Sequence, residues 1–286
     1  MNSVESILIL ARLTLREAAG RRLLWALVGL TALIVVLTWW AFSRISEVSP
    51  VSGPVQMLGV SQVTVMLAFM FSFVLAMTAV FAGSPAIGPD IENGLLLAML
   101  ARPIRRSEVM LGRWLGLAVV LVAYALAAGY LELGAVVLAT GYAPADPLAA
   151  PLYLALEALI LLTLAIVLST RVASVAGGAI AVVAYGLAWM AGVMGGVGEA
   201  FNNDVLRWAG IVAKLILPSD VLWLGSAAAL TPTDEVLRGG GLAEPALYKF
   251  SPFSGVSPSL PWLVWCAIWV VGALALGSLL LRQREL

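Results

Sequence analysis

Long apolar runs alternate with short charged or glycine- and proline-rich breaks along the whole chain. A membrane-spanning helix needs about 20 mainly apolar residues. Six runs qualify: 23–42, 63–81, a stretch within 109–140, 152–168, 172–194 and 262–281. The third exceeds what a bilayer requires, which predicts a tilt or a protruding end. Pro151 opens the fourth at a first helical position that suits it, and Trp262, Trp265 and Trp269 mark an interface on the sixth. Residues 3–22 form a further helix in which Glu5, Arg12 and Arg16 share a face, the pattern of a helix lying on a lipid surface. Residues 203–216 place Val205, Leu206, Trp208, Val212 and Leu215 at helical spacing. Pro218 breaks that helix, and Ser219 or Asp220 is expected to cap a second one through Leu230. Both are too short to span and are expected to lie at, or dip into, the outer interface. The stretch 231–261 is rich in Gly, Pro and Ser and reads as an ordered external loop. The expected fold is all-α: one polytopic membrane domain over 1–286, with an interfacial helix at 1–22, a cytoplasmic loop at 83–108 and an external segment at 195–261.

Charge sets the orientation. Six spans put both termini on one side, together with Arg12, Arg16, Arg21, Arg22, Arg102, Arg105, Arg106, Arg113, Arg171, Arg282 and Arg284. The other side holds Arg44, Arg207, Lys214, Arg238 and Lys249, and the loop 141–150 has no Lys or Arg. By the positive-inside rule both termini are expected in the cytoplasm, with the chain integral to the cytoplasmic membrane. No basic residue precedes Arg12, so no cleavable signal peptide is expected.

Composition narrows the chemistry. The chain is 62% hydrophobic, where a soluble domain is about half apolar, and its net charge is zero. A nucleic-acid partner has no electrostatic support. There is no histidine, which removes His-based acid–base catalysis, HExxH zinc sites and Ser-His or Cys-His pairs. Cys266 is alone and forms neither an intrachain disulfide nor a CxxC site. Neither lysine, Lys214 or Lys249, stands in the Gly-Lys-Ser/Thr of a P-loop. The chain is therefore expected not to be an enzyme and to bind no metal or cofactor.

The densest charge lies in 87–116, IGPDIENGLLLAMLARPIRRSEVMLGRWLG, with Asp90, Glu92, Arg102, Arg105, Arg106, Glu108 and Arg113. Charges at this density stay out of hydrocarbon, so the segment is expected outside the bilayer as a docking surface. Its order of residues resembles the membrane subunit of ABC-2 type transporters. Ile87, Asp90, Ile91, Glu92 and Gly94 follow that family's Ile-Ala-x-Glu-Ile-x-x-Gly-Thr run. A leucine-rich stretch, Arg102-Pro103, and Gly112-Arg113-Trp114-Leu115-Gly116 follow in turn. Pro89 stands where a basic or small residue is commoner, Asp90 replaces Glu and Leu95 replaces Thr. The nearest likeness is to permeases found beside copper-enzyme maturation genes, through Pro218-Ser219-Asp220.

That resemblance implies a half-transporter working as an exporter. Two copies, or one copy and a paralogue, would pair in the lipid bilayer. Two separate ABC ATPase subunits carrying ATP and Mg would grip Pro89, Asp90, Ile91, Glu92, Asn93 and Gly94, with Arg102, Arg105 and Arg106 nearby. The alternative is a proton-coupled secondary transporter built on Glu132 and Glu157, the acids well inside spans. Both lie roughly 9–13 Å below the outer ends of adjacent antiparallel helices, counted at ~1.5 Å per residue. They are expected either to face each other and share a proton, lining a substrate path, or to bond a neighbouring helix through Tyr130 or Tyr153. Met66, Met70 and Met77, with Met190 and Met194, recur at helical spacing and read as packing before Cu(I) ligands. Gly112/Gly116 and Gly192/Gly196 permit close helix approach, within one copy or between two.

The orientation is open to direct measurement. With Cys266 replaced by Ala, a cysteine at Asn93 is expected to react with an impermeant maleimide only in inside-out vesicles, and one at Asp146 only in right-side-out cells.

Overall fold

The computed structural model describes residues 3–20, 22–48, 53–89, 105–232 and 255–283. Among these are nine helices and no strand: α1 (Ser3–Gly20), α2 (Arg22–Val48), α3 (Pro54–Gly83), α4 (Arg106–Thr140), α5 (Ala149–Ser169), α6 (Ser174–Ala200), α7 (Asp204–Ile216), α8 (Ser219–Leu230) and α9 (Leu260–Arg282). Six are long and apolar enough to cross a membrane: α2 to α6 and α9. The all-α, six-span architecture is as expected, but three boundaries move, α2 running on from residue 42 to Val48. α3 starts at Pro54, well before residue 63, because a proline is favoured in a helix's first turn and the polar Ser61 is buried against α8. α6 runs on to Ala200 through a glycine-rich stretch that brings it close to α7.

α5 is the axis of the bundle. Of its most apolar window 61% is buried, against 11% for α2 and 17% for α9. It packs on α3, α4, α6, α8 and α9. The outer helices turn Leu30, Leu33, Val36 and Leu37 of α2 and Val264, Ile268 and Val271 of α9 outward, as helices in lipid do. α2 is held to α4 by two polar rungs: Thr31 and Tyr124 share a hydrogen bond of 2.7 Å, and Thr38 donates to Glu132 at 2.6 Å.

α4, at 35 residues, is about 50 Å long at ~1.5 Å per residue, beyond the ~30 Å of a hydrocarbon core. Its first turns carry α1. A Cβ on Gly112 would lie 2.5 Å from Leu10 Cβ, and one on Gly116 would lie 2.7 Å from both Ala11 O and Thr14 Cβ. This glycine pair therefore seats a helix of the same chain. α1 leaves Val4, Leu8, Ile9 and Leu13 exposed beside Arg12 and Arg16, an amphipathic surface suited to a headgroup layer.

At the opposite end, α7 and α8 meet at a bend of 103° around Pro218. Asn203 caps α7 by accepting from the Leu206 N–H at 3.2 Å. The expected side-chain cap of α8 is absent: Pro218 holds the N-cap position, Ser219 is already helical and its hydroxyl has no partner. α7 packs on α6 and exposes Val205, Trp208, Val212 and Ile216, whereas α8 is buried against α5 and α3. The C-terminal carbonyls of α8 are satisfied by other segments. Ala145 N–H donates to Thr231 O at 3.0 Å and Asp146 N–H to Ala229 O at 3.0 Å, while Tyr142 Oη and Ser61 Oγ both donate to Leu230 O. The 231–261 loop is described only at 231–232 and from residue 255 on; the rest lies outside the described residues.

Gly116→Ala forces α1 off α4 and is expected to cost about 1–3 kcal/mol. Gly196→Ala, whose Cβ meets nothing within 4 Å, is expected to leave stability unchanged. Thermal unfolding of the two purified variants in one detergent compares them.

Candidate functional site

Two regions carry the polar chemistry. The first is the α1 end of the bundle. α3 stops at Gly83, and the turn after it is tied down from three sides. Ser174 Oγ donates to Ser84 O at 3.2 Å, and the Arg113 guanidinium, an α4 group, donates to Ala86 O. Gly88 lies against the start of α6. Pro89, half-buried, is the last residue described before the gap in description. Asp90, Ile91, Glu92, Asn93, Gly94 and Arg102 lie outside the described residues.

Arg105 and Arg106 differ in role. Arg105 is exposed, and its backbone N–H donates to Glu108 Oε2 at 3.2 Å, closing the first turn of α4. The Arg106 guanidinium donates to Leu281 O at 3.2 Å and to Arg282 O at 3.5 Å, where it meets the negative end of the α9 dipole. Arg106 thus joins two helices of its own chain. Sequence reasoning counted Glu108 among the charges of a docking surface and gave it no structural role. Its carboxylate is buried and hydrogen-bonded by Ser3 and Ser6, so the first turns of α1 and α4 are joined by charge as well as by the glycine notches. A glutamate three residues after Arg105, at the N3 position of α4, was the available signal.

The second region holds the buried acids. The expected meeting of Glu132 and Glu157 does not occur, and neither Tyr130 nor Tyr153 bonds them. Glu132, half-buried on α4, is turned to Thr38 of α2, while Tyr130 donates to Leu148 O. Glu157 of α5 is 2% exposed. Its Oε2 accepts from Ser72 of α3 at 2.8 Å, and Ser72 lies 3.3 Å from the Tyr185 hydroxyl of α6. A second buried acid, Asp220 of α8, is 4% exposed. Asp220 pairs with Lys214 of α7 at 3.5 Å and fills the notch left by Gly192 of α6, where no Cβ fits. Aromatic rings close this junction: Phe69 packs on Trp189 at 5.5 Å and on Trp223 at 5.2 Å between centroids. Helices separated by different distances along the chain converge here, which is why spacing did not reveal it.

A cleft of about 40 Å³ opens between α3, α4, α5 and α8, lined by Glu132, Thr64, Phe71, Leu154 and Ser226. It is mostly apolar and has room for a few waters beside the Glu132 carboxylate and the buried, unpartnered Ser226 hydroxyl. Met66, Met70, Met190 and Met194 are exposed on α3 and α6, and Met77 packs on the core. Among the described residues, no three His, Cys, Asp or Glu side chains gather at a metal-binding distance.

Compared with known proteins, the chain matches no curated protein. The model of a family described as "ABC-2 family transporter protein" matches residues 9–286. That match is to the family as a whole and lends no support to a link with copper-enzyme maturation.

The two acids are expected to respond differently to loss of their donors. Thr38→Val removes one interhelical rung and is expected to cost about 1 kcal/mol. Ser72→Ala leaves a fully buried carboxyl without its hydroxyl donor and is expected to cost more, about 1–3 kcal/mol. Unfolding midpoints in detergent rank the pair.

Proposed function

Because the chain belongs to the ABC-2 transporter family, with nearly its whole length matched, we propose that this integral membrane protein is the permease half of an ATP-driven exporter in the cytoplasmic membrane. Two copies pair across the bilayer, and a separate ABC ATPase carrying ATP and Mg binds each copy at the segment from Pro89 to Gly94, with Arg102 and Arg105 beside it. Both termini and the α1 end face the cytoplasm in this reading, in keeping with the arginine-rich short loops.

The observation that carries the proposal is the way one end of the bundle is wired. The turn after α3 is bonded to α4 through Arg113 and to the start of α6 through Ser174. α4 is bonded to α9 through Arg106 and to α1 through Glu108 and the glycine notches. A push on the turn after α3, up to Pro89, therefore reaches α1, α3, α4, α6 and α9 together. Closure of two ATPases on ATP would supply such a push, and the helices would respond as bodies with discrete packings. No cationic, nucleotide-binding or catalytic group within this chain has to act. Glu132 and Glu157 bond separate helices, so the proton-coupled alternative lacks the pair it was built on.

Asp90→Ala with Glu92→Ala is expected to weaken co-purification of the P-loop ATPase by about tenfold or more, the usual effect of removing buried interfacial charges. Expression and unfolding midpoint are expected to stay at wild-type values. Transport that persists without ATP and collapses with the proton gradient would overturn the proposal.

A further inference from the structure

The cleft between α3, α4, α5 and α8 holds a carboxylate and no cation. Glu132 Oε1 accepts from Thr38 of α2 at 2.6 Å, and among the described residues Oε2 accepts from nothing. No Lys or Arg stands among the described residues that line the cleft. Two hydroxyls join the carboxylate there. Ser226 of α8 is wholly buried, and its Oγ has no partner. Thr64 of α3 is buried and gives its hydrogen to Val60 O at 2.8 Å, which leaves its oxygen able to accept. The rest of the wall is hydrocarbon, including Phe71, Leu133 and Leu154. One side is closed where α4 and α5 touch: a Cβ on Gly129 would lie 2.9 Å from Pro151 Cβ. Another is closed by Leu67 and Val136, which pack with Phe42, Val60 and Tyr142. An acid without a counter-charge and a buried hydroxyl without a bond both cost free energy in apolar surroundings until something satisfies them.

We propose that this cleft binds the ammonium head of a lipophilic primary amine through Glu132, Ser226 and Thr64. A primary ammonium carries three N–H donors, and the cleft offers an acceptor for each: Glu132 Oε2, Ser226 Oγ and Thr64 Oγ1. The carboxylate supplies the single counter-charge. Phe71, Leu133 and Leu154 meet the carbons next to the nitrogen. The free space, about 40 Å³, suits a head close to water in size. A quaternary ammonium is too bulky for it and has no N–H to donate. A guanidinium brings five donors, more than the acceptors present. A calcium ion needs six or more oxygens, which this wall does not hold. An aminophospholipid carries a phosphate two carbons from its ammonium, and no cation lines the cleft to meet it. The ligand is therefore a free amphiphilic amine of one positive charge. Binding needs neither nucleotide nor partner, so the site stands apart from the exporter reading. A chain that couples to no ATPase would still take the amine, and a cleft that binds nothing would leave the exporter reading as it was.

The test uses the full chain in phosphatidylcholine nanodiscs without nucleotide. Radiolabelled octylamine is counted on the immobilised discs at neutral pH, and uptake by protein-free discs is subtracted. Saturable binding is expected, displaced by unlabelled octylamine but not by octanol, which lacks the charge, or by octyltrimethylammonium, which lacks the N–H groups. Glu132→Gln keeps an oxygen for Thr38 and removes the charge, and is expected to weaken binding by about tenfold or more. Ser226→Ala removes a hydroxyl that bonds nothing in the empty cleft. It is expected to weaken binding by about threefold or more while the unfolding midpoint stays at the wild-type value. That variant decides the matter should Glu132→Gln fail to fold. Binding that does not saturate, that octanol or octyltrimethylammonium displaces as well as octylamine does, or that Ser226→Ala leaves unchanged overturns the proposal.

Discussion

In a hydrocarbon solvent, apolar side chains gain nothing by leaving lipid for one another, so helices associate only where their backbones approach closely or their polar groups find partners. The whole structure follows from that constraint. α1 rests on α4 because Gly112 and Gly116 lack side chains, and α8 reaches α6 because Gly192 leaves a notch for a carboxylate. Where such notches are absent, polar rungs take over. α2, exposed over most of its surface, is fastened by Thr31 to Tyr124 and by Thr38 to Glu132. Large apolar side chains fill the remaining space, with α5 as the most enclosed element.

The two ends of the bundle use their charges in different ways. At the α1 end, arginines are placed on a carbonyl at the C-terminal end of α9 and on one in the turn after α3, so charge serves as a connector between rigid parts. The opposite end brings acids inward, where each must be neutralised locally. The first arrangement suits the passing on of a mechanical push. The second draws α7 and α8 inward onto the bundle through the Asp220–Lys214 pair. Joined by α5 and its neighbours, the two ends of the bundle are chemically distinct.

Much of this architecture was legible in the sequence, because lipid enforces the pattern so strictly. Six apolar runs became six long helices, and the alternation of charge in 3–22 became an amphipathic helix. Pro218 ended α7 as a proline must. What stayed hidden depended on partners distant in sequence. Thr38 and Ser72 are small polar residues in apolar runs, and nothing in their spacing says which acid each meets. Glu132 and Glu157 sit at comparable depth but look to different helices, which depth alone does not reveal. Asp220 and Lys214 lie on either side of a proline, so helical periodicity does not pair them; the 103° bend does. Of the residues expected to meet an ATPase, the structure describes Pro89, Arg105 and Arg106, and Arg106 bonds the end of α9.

The attachment of α8 is unequal along its length. Four donors from the α4–α5 loop and α3 clasp its C-terminal carbonyls, while its N-terminal turn has no side-chain cap and is held by burial and by Asp220, which meets Lys214 of α7 and the Gly192 notch of α6. One end of the helix therefore depends on hydrogen bonds of fixed direction and the other on a carboxylate seated in a glycine notch, so a side chain added at Gly192 strikes only the second.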